Sequence, residues 1–194
     1  VLLSLVEDVL DLSKLELGTF STNLSNFGVT ELVSEVAEIF EHQCKQKQLE
    51  LTVDVSRQLR DKPIESDRGR IKQVLLNLMA NSLKFTFNGG ISLKVDLVEA
   101  DGQNFVEFSV RDTGMGIKEE DLPKLFTLFS MLDDSRNINP HGCGIGLTVS
   151  KKYIERLGGT IWVESEFKIF TKVSFRIPLI EPLDSLFVSL IVPE

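Results

Sequence analysis

Strict alternation of apolar and polar residues along two neighbouring segments constrains the fold of this chain more than any other feature. Apolar side chains occupy every second position from Ile91 to Leu97 and again from Val106 to Val110. This period of two is typical of β-strands that bury one face. Asp101-Gly102, between the two segments, is typical of a tight turn. The sequence therefore predicts an antiparallel hairpin.

The segments around this hairpin predict further strands and several helices. Leu49 to Val55 alternate in the same way and predict a half-buried strand. Helical spacing of apolar residues predicts helices over 30–46, 67–84 and 145–157, with a short helix over 119–126. Two more strands are predicted over 160–164 and 173–177.

The first residues of the chain carry a helical apolar stripe that ends at Gly18, a residue suited to a helix C-cap. The stripe fits either a helix that covers a core or a bundle helix without its partners. Because the chain starts inside this pattern and lacks an initiator Met, we interpret it as a piece of a longer protein.

Charge and composition exclude several classes of function as first hypotheses. The formal net charge is −8, which offers no electrostatic attraction to nucleic acid or to an anionic membrane surface. No apolar run is long enough for a transmembrane helix, and no signal peptide is recognisable. Cys44 and Cys143 are far apart and outside any metal-ligand spacing, which fits a reducing compartment.

Asn77, Asn81 and Lys84 are spaced to share one face of the predicted helix 67–84. The row, which Arg70 and Gln73 extend, fits either a solvated polar face or a site for a metal–phosphate group. Mg²⁺ takes oxygen ligands, keeps several waters and relies on phosphates, so that one neutral Asn can suffice in the second case.

Two glycine-containing segments follow the predicted hairpin. Asp112 stands at a strand end before Gly114 and Gly116, where its carboxylate can accept a hydrogen bond from an exocyclic amine. Glycines then alternate from Gly142 to Gly146 at the start of a predicted helix, an arrangement suited to anion binding by backbone N–H groups. The spacing matches neither a Walker A loop nor a Rossmann fingerprint, and the Ser/Thr/Tyr kinase signatures are absent.

In order and spacing, these elements resemble the ATP-binding catalytic domain of sensor histidine kinases, within the gyrase, heat-shock-protein-90, histidine-kinase and mismatch-repair ATPase superfamily. The segment 77–86 resembles the family's N box, and 112–117 and 142–147 resemble its first and second glycine boxes. Leu125 to Phe129 resemble the F box, and Asp8 to Gly18 are similar to the exit of the second dimerisation helix.

The resemblance implies an α+β fold, a two-layer sandwich of a mixed, mostly antiparallel sheet with helices on one face, preceded by an N-terminal bundle-type helix. It implies three parts: the end of a dimerisation helix (1–18), the catalytic domain (19–180) with an ATP lid at about 118–142, and a tail or linker (181–194).

The resemblance also implies roles for individual residues. Asn81 is the expected Mg²⁺ ligand, Asn77 a second polar group near the phosphates, and Lys84 a phosphate contact; Asp112 is expected to bind the adenine amine. The remaining expected ATP contacts are Gly114, Gly116, Ile117, Phe129, Arg136 (γ-phosphate), Gly142, Gly144, Gly146 and Leu147.

The sequence departs from the family pattern in two places. Neither His42 nor His141 stands in a phospho-acceptor context, so we expect the acceptor histidine upstream of this chain. The family's third glycine-rich turn is replaced by Phe167 to Lys172, whose Cβ atoms exclude conformations open to glycine. We expect Lys172 to stand where relatives have a Thr beside Asp112, and to weaken ATP binding several-fold.

The leading hypothesis is an ATP-dependent protein histidine kinase fragment that transfers the γ-phosphoryl of Mg·ATP to a histidine outside the chain in a two-component phosphorelay. The alternative is a degenerate kinase that binds a nucleotide or a partner without transfer; a clamp-type ATPase is disfavoured because Asn77 stands where such enzymes place a Glu. Expected partners are the parent's phospho-acceptor helix, in cis or trans, and a receiver domain, in a homodimeric parent. We expect a cytoplasmic location, with or without a membrane anchor elsewhere in the parent.

Overall fold

The computed structural model describes residues 10, 13, 21–127 and 144–182. The elements in chain order are β1 (Ser25–Gly28), α1 (Val29–Gln46), β2 (Glu50–Val55), α2 (Arg57–Arg60), β3 (Pro63–Ser66), α3 (Arg68–Phe85), β4 (Gly90–Ala100), β5 (Gln103–Asp112), a 3₁₀ turn (Glu119–Lys124), α4 (Gly146–Arg156), β6 (Thr160–Glu166) and β7 (Phe170–Pro178). Leu10 and Ser13 are helical, but the rest of the predicted N-terminal helix and the tail from residue 183 lie outside the described residues.

The main sheet has five strands in the order β2-β4-β5-β7-β6. Strand β2 runs parallel to β4, and every other pair is antiparallel. The predicted hairpin is confirmed, with Leu93 opposite Val110 and Val95 opposite Phe108. The mixed, mostly antiparallel sheet expected from the sequence is therefore present.

One face of the sheet is apolar and buried beneath the helices. Its central side chains on β4, β5 and β7 include Leu93, Phe108 and Phe175, all fully buried. The rings of Phe108 and Phe175 stack with their centroids 4.9 Å apart. Since burial of a large apolar side chain contributes about 1.5–3 kcal/mol, this row anchors the sheet to the helical layer.

Three short elements were not predicted. Strands β1 and β3 form a separate two-stranded antiparallel sheet, and α2 is a single turn. The segment before β1 is joined to α3, because the backbone N–H of Asn23 donates to Asp67 Oδ2 over 2.8 Å. Within the part of the chain that the structure describes, no helix combines the length and apolarity needed to span a membrane.

Candidate functional site

Asp112 is the last residue of β5 and is 4% exposed. Its Oδ2 accepts a hydrogen bond from Ser82 Oγ of α3 at 3.0 Å, and its Oδ1 accepts one from the Gly114 N–H at 2.9 Å. Burial raises the pKa of this carboxyl group, although the two hydrogen bonds act in the opposite direction. The strand end and α3 together therefore hold one buried acceptor in a fixed orientation.

Close contacts within the chain explain both glycines after Asp112. A Cβ at Gly114 would collide with the Phe85 carbonyl at the end of α3, and a Cβ at Gly116 with the Glu166 carbonyl of β6. The loop between them is fixed by two hydrogen bonds, from Met115 N–H to the Phe85 carbonyl at 3.1 Å and from Lys168 N–H to the Met115 carbonyl at 2.7 Å. The first glycine segment is thus packed between α3 and the β6–β7 turn.

Asn81 and Lys84 lie on the C-terminal half of α3, and both are half-buried. Neither side chain makes a hydrogen bond or ion pair with another residue of the described ranges 21–127 and 144–182. The Lys84 ammonium lies over the Phe85 ring, 4.9 Å from its centroid, and desolvation lowers its pKa. An amide oxygen and a cation are therefore available for a ligand on the part of α3 that also carries Ser82, the hydrogen-bond partner of Asp112.

Asn77, the third member of the polar row, contacts α4 instead. Its Nδ2 donates to Ser150 Oγ at 3.0 Å, and its Oδ1 lies against Gly146. Farther along the same two helices, Arg70 donates to Tyr153 Oη at 3.1 Å and lies over the Tyr153 ring. The row is consequently not a fully solvated face, because its N-terminal part joins α3 to α4.

The second glycine segment is described from Gly144 onward. Gly144 has a φ of 64°, in the left-handed region that favours glycine, and α4 begins at Gly146 without a side-chain cap. Leu147 and Ile117 are half-buried; the Ile117 N–H donates to Ser165 Oγ at 2.9 Å. Of the other predicted contacts, Phe129, Arg136 and Gly142 lie outside the described residues, as does the lid segment from 128.

The expectation that Lys172 faces Asp112 is wrong. Asp112 is paired in register with Thr171, whereas Lys172 is paired with Arg111. Neighbouring residues of a strand point to opposite faces of the sheet, so Lys172 lies on the other face, where its Nζ is 2.9 Å from Glu164 Oε2. The Thr171 hydroxyl lies 3.2 Å from Ser165 Oγ.

The expectation that the β6–β7 turn loses its glycine-like conformation is also wrong. Lys168 has a φ of 67°, so a non-glycine residue adopts the left-handed conformation in this turn. Its N–H still reaches Met115, which keeps the turn packed on the first glycine segment.

Four hydroxyl residues near the site were missed by sequence reasoning: Ser82, Ser150, Ser165 and Thr171. Small hydroxyl residues carry no signal of their own in a single sequence. A weak signal was the position of Ser82, directly after Asn81 on a helix whose neighbouring turns face the sheet. The partners of Ser82 and Ser150 lie 30 and 73 residues away, and the contact of Thr171 with Ser165 depends on the register of the β6–β7 pair.

The side chains of the candidate site fit a metal ion that is held mainly by the phosphates of a bound molecule. No group of three or more His, Cys, Asp or Glu side chains suited to a metal occurs among the described residues. The unbonded Asn81 amide could supply one oxygen, as suits Mg²⁺, which retains waters and leans on phosphates. The N-terminus of α4 supplies backbone N–H groups and a partial positive charge for an anion.

Comparison with protein families identifies the larger part of the chain. Residues 66–181 match the family described as "Histidine kinase-, DNA gyrase B-, and HSP90-like ATPase". The chain is 36% identical over 178 residues to the autoinducer 2 sensor kinase/phosphatase LuxQ of Vibrio cholerae, covering 92% of this chain and 21% of that protein. It is 35% identical over 166 residues to the signal transduction histidine-protein kinase BarA of Escherichia coli, covering 85% of this chain and 18% of BarA. The chain therefore spans about a fifth of these relatives.

Solved structures show the same similarity in three dimensions. Full-length ShkA in complex with AMPPNP superposes with a TM-score of 0.79 at 31% identity, over 93% of this chain and 36% of that chain. The nucleotide-free catalytic domain of the histidine kinase ThkA superposes with a TM-score of 0.68 at 31% identity, over 81% of this chain and 96% of that domain. The similarity thus extends over almost the whole of a solved catalytic domain.

Proposed function

The chain belongs to the histidine kinase-, DNA gyrase B- and HSP90-like ATPase family, and from this premise we propose that it is the catalytic part of a sensor histidine kinase. In this role it binds Mg·ATP and presents the γ-phosphoryl group to a histidine outside the chain. One observation carries the proposal: the buried Asp112 carboxylate contacts the stretch of α3 that bears the Asn81 amide, which has no hydrogen-bond partner among the described residues, and the uncapped start of α4 contacts the same helix.

The order of contacts along α3 supports a single binding site. Asn77 contacts α4 and Ser82 contacts Asp112, so Asn81 lies between the two contacts on the same helix. In the proposed site, Asp112 accepts a hydrogen bond from the adenine amine, and Lys84 attracts the phosphates. Gly114, Gly116, Ile117 and Leu147 surround the base, and Gly144 and Gly146 present the start of α4 to the phosphates.

We propose Asn81 as the protein ligand of Mg²⁺, which when bound would neutralise charge on the phosphates. The chain's own contribution is position and charge, which is most of what phosphoryl transfer requires. In the transfer, a nitrogen of the acceptor imidazole forms a bond to the γ-phosphorus while the bond from that phosphorus to the β–γ bridging oxygen breaks. ADP leaves, and the imidazole releases its N–H proton to solvent.

The acceptor and the later steps belong to the parent protein. We propose that the acceptor helix comes from the same parent, in cis or trans within a homodimer, and that a receiver domain then takes the phosphoryl group. The name of a further relative, the hybrid signal transduction histidine kinase B of Dictyostelium discoideum, is in line with such an arrangement. We propose a cytoplasmic location, because the reaction needs ATP.

Calorimetry with Mg·AMPPNP tests the site. Asp112→Ala should abolish adenine recognition, whereas Asn81→Ala should weaken Mg·AMPPNP in particular and nucleotide without Mg²⁺ much less. Lys172→Thr is the matched control and should leave the affinity unchanged, since Lys172 lies on the opposite face of the sheet. Unchanged binding by both site variants would contradict the assignment.

A second assay separates the classes of function. The chain is incubated with ATP labelled at the γ-phosphate and with an acceptor helix taken from a related histidine kinase. Acid-labile label on the acceptor histidine is expected for a kinase. Free phosphate alone would indicate a clamp-type ATPase, and binding without either product a degenerate binding module.

A further inference from the structure

We propose that Asn77 is a positioning residue that, together with Gly146 and Ser150, fixes the first turn of α4 against α3. This set is called the α3–α4 latch. The inference rests on the proposed function, because the start of α4 is where the phosphates of the nucleotide are expected. It replaces the expectation that Asn77 is itself a polar group near the phosphates.

The first observation is the hydrogen bond between the two helices. Asn77 Nδ2 donates to Ser150 Oγ at 3.0 Å, and Ser150 is only 3% exposed. A buried hydroxyl with a defined partner orients that partner, because breaking the bond would leave the buried Ser150 hydroxyl unsatisfied. The Asn77 amide is thereby committed to α4.

The second observation is the reason for glycine at position 146. Gly146 is not among the glycines with a positive φ, so its backbone does not require glycine. A Cβ there would instead lie 2.5 Å from Asn77 Oδ1 and 3.0 Å from Asn77 Cγ. Since both atoms belong to the Asn77 side chain, that side chain would have to shift, which disturbs its bond to Ser150. Glycine at 146 therefore serves the contact with Asn77.

The third observation concerns how the start of α4 is held. Gly146 and Ser150 are four residues apart and share one face of α4, so Asn77 contacts two successive turns. Ile145, which precedes the helix, provides no side-chain cap. The direction of the first backbone N–H groups of α4 consequently depends on packing against α3, and Asn77 provides a polar contact from α3 to the first two turns of α4.

A double-mutant cycle between Gly146→Ala and Asn77→Ala tests the latch, with Mg·AMPPNP affinity as the readout. Gly146→Ala should weaken binding because the added methyl group displaces the start of α4. The loss should be about tenfold if one or two hydrogen bonds to the phosphates are lost. Adding Asn77→Ala should recover part of that loss, because truncation removes the colliding oxygen. If glycine at 146 is required by the phosphates instead, Asn77→Ala cannot rescue it.

A second cycle uses Ser150→Ala, which should weaken binding about fivefold in the otherwise unmodified chain and much less in the Asn77→Ala background. The matched control is Ser174→Ala, which removes a fully buried hydroxyl without a partner among the described residues, on the sheet face opposite Asp112. This control should leave the affinity unchanged. Affinity for adenosine, which lacks phosphates, should change little in any latch variant.

Urea unfolding of every variant separates positioning from general stability. A purely structural role would lower the free energy of unfolding and leave the affinity of the folded protein unchanged, which would overturn the inference. Additive effects on affinity in both cycles would overturn it as well. If the unmodified chain bound no Mg·AMPPNP, the proposed function and this inference would both fail. If it bound Mg·AMPPNP but the effects of the substitutions were additive, only the α3–α4 latch would be refuted.

Discussion

Lys168 adopts a backbone conformation that ordinarily belongs to glycine. Its φ of 67° costs a residue with a Cβ about 1–2 kcal/mol. Replacement by glycine removes this strain, but the greater entropy of glycine in the unfolded chain cancels about half of the gain in stability. Lys168→Gly should therefore raise the free energy of unfolding by about 0.5–1 kcal/mol in urea titration. Ile169→Gly, in the same turn but without a positive φ, is the control and should lower it. A loss of stability in Lys168→Gly would show that its side chain contributes more than the strain costs.

Asp112 should make stability depend on pH. Its pKa is raised above the ordinary value of 3.8, chiefly by burial. At a pH between the ordinary pKa of the unfolded state and the raised pKa of the folded state, the folded protein holds a proton that the unfolded chain has released. The free energy of unfolding therefore falls as pH rises through this window. Asp112→Asn has no ionisable group at this position, so its free energy of unfolding lacks this pH dependence. Urea unfolding at several pH values from about 4 to 7 should show the variant gaining stability relative to the parent as pH rises. A constant difference would contradict the raised pKa.

The residues of the candidate site differ in whether their role can be inferred from the neighbouring sequence. Asp112, Asn81 and Lys84 could be proposed from the sequence because their chemistry is unusual for a strand end or a Leu-rich helix. Thr171 could not, because its place opposite Asp112 depends on the register of two strands, and an error of one residue exchanged it for Lys172. Whether these residues bind ATP as proposed remains a prediction.

At the level of elements, Asp67 links the start of α3 to the segment before β1. Its Oδ1 accepts from the Arg70 N–H at 3.0 Å, as a helix cap, and its Oδ2 accepts from the Asn23 N–H at 2.8 Å. Asp67→Ala leaves both N–H groups without this partner and should lower the free energy of unfolding by about 1–2 kcal/mol. Asp67→Asn retains one acceptor oxygen and should lose less. Equal stability of Asp67→Ala and the parent in urea would show that water replaces the cap.

The long elements could be predicted and the short ones could not. Helix α3 was expected over 67–84 and spans Arg68–Phe85, because an apolar stripe repeated over five turns is difficult to mistake. Strands β1 and β3 have four residues each, only two cycles of alternation and too few for a reliable prediction. They exist because they pair with each other. For such elements tertiary contact decides, and that information is absent from any local window.

At the scale of the whole molecule, the proposed site and the core share the same elements. Helix α3 buries one face against the sheet and carries Asn81 on its half-buried side, while β5 passes through the centre of the core and ends in Asp112. A ligand held between them contacts elements that separate only when the fold opens. Edge strand β2 pairs with β4 alone and does not contribute to the site.

This arrangement predicts where nucleotide should slow hydrogen exchange. Amides of β5 at Val106, Phe108 and Val110 are buried in the central strand and should exchange only through global unfolding. A ligand that binds only the folded state, present at about 100 times its Kd, should slow them about 100-fold. Amides of β2 can exchange through local opening of the sheet edge and should slow much less. In Asp112→Ala the same Mg·AMPPNP concentration should leave β5 exchange nearly unchanged; equal slowing in this variant would place the nucleotide away from the end of β5.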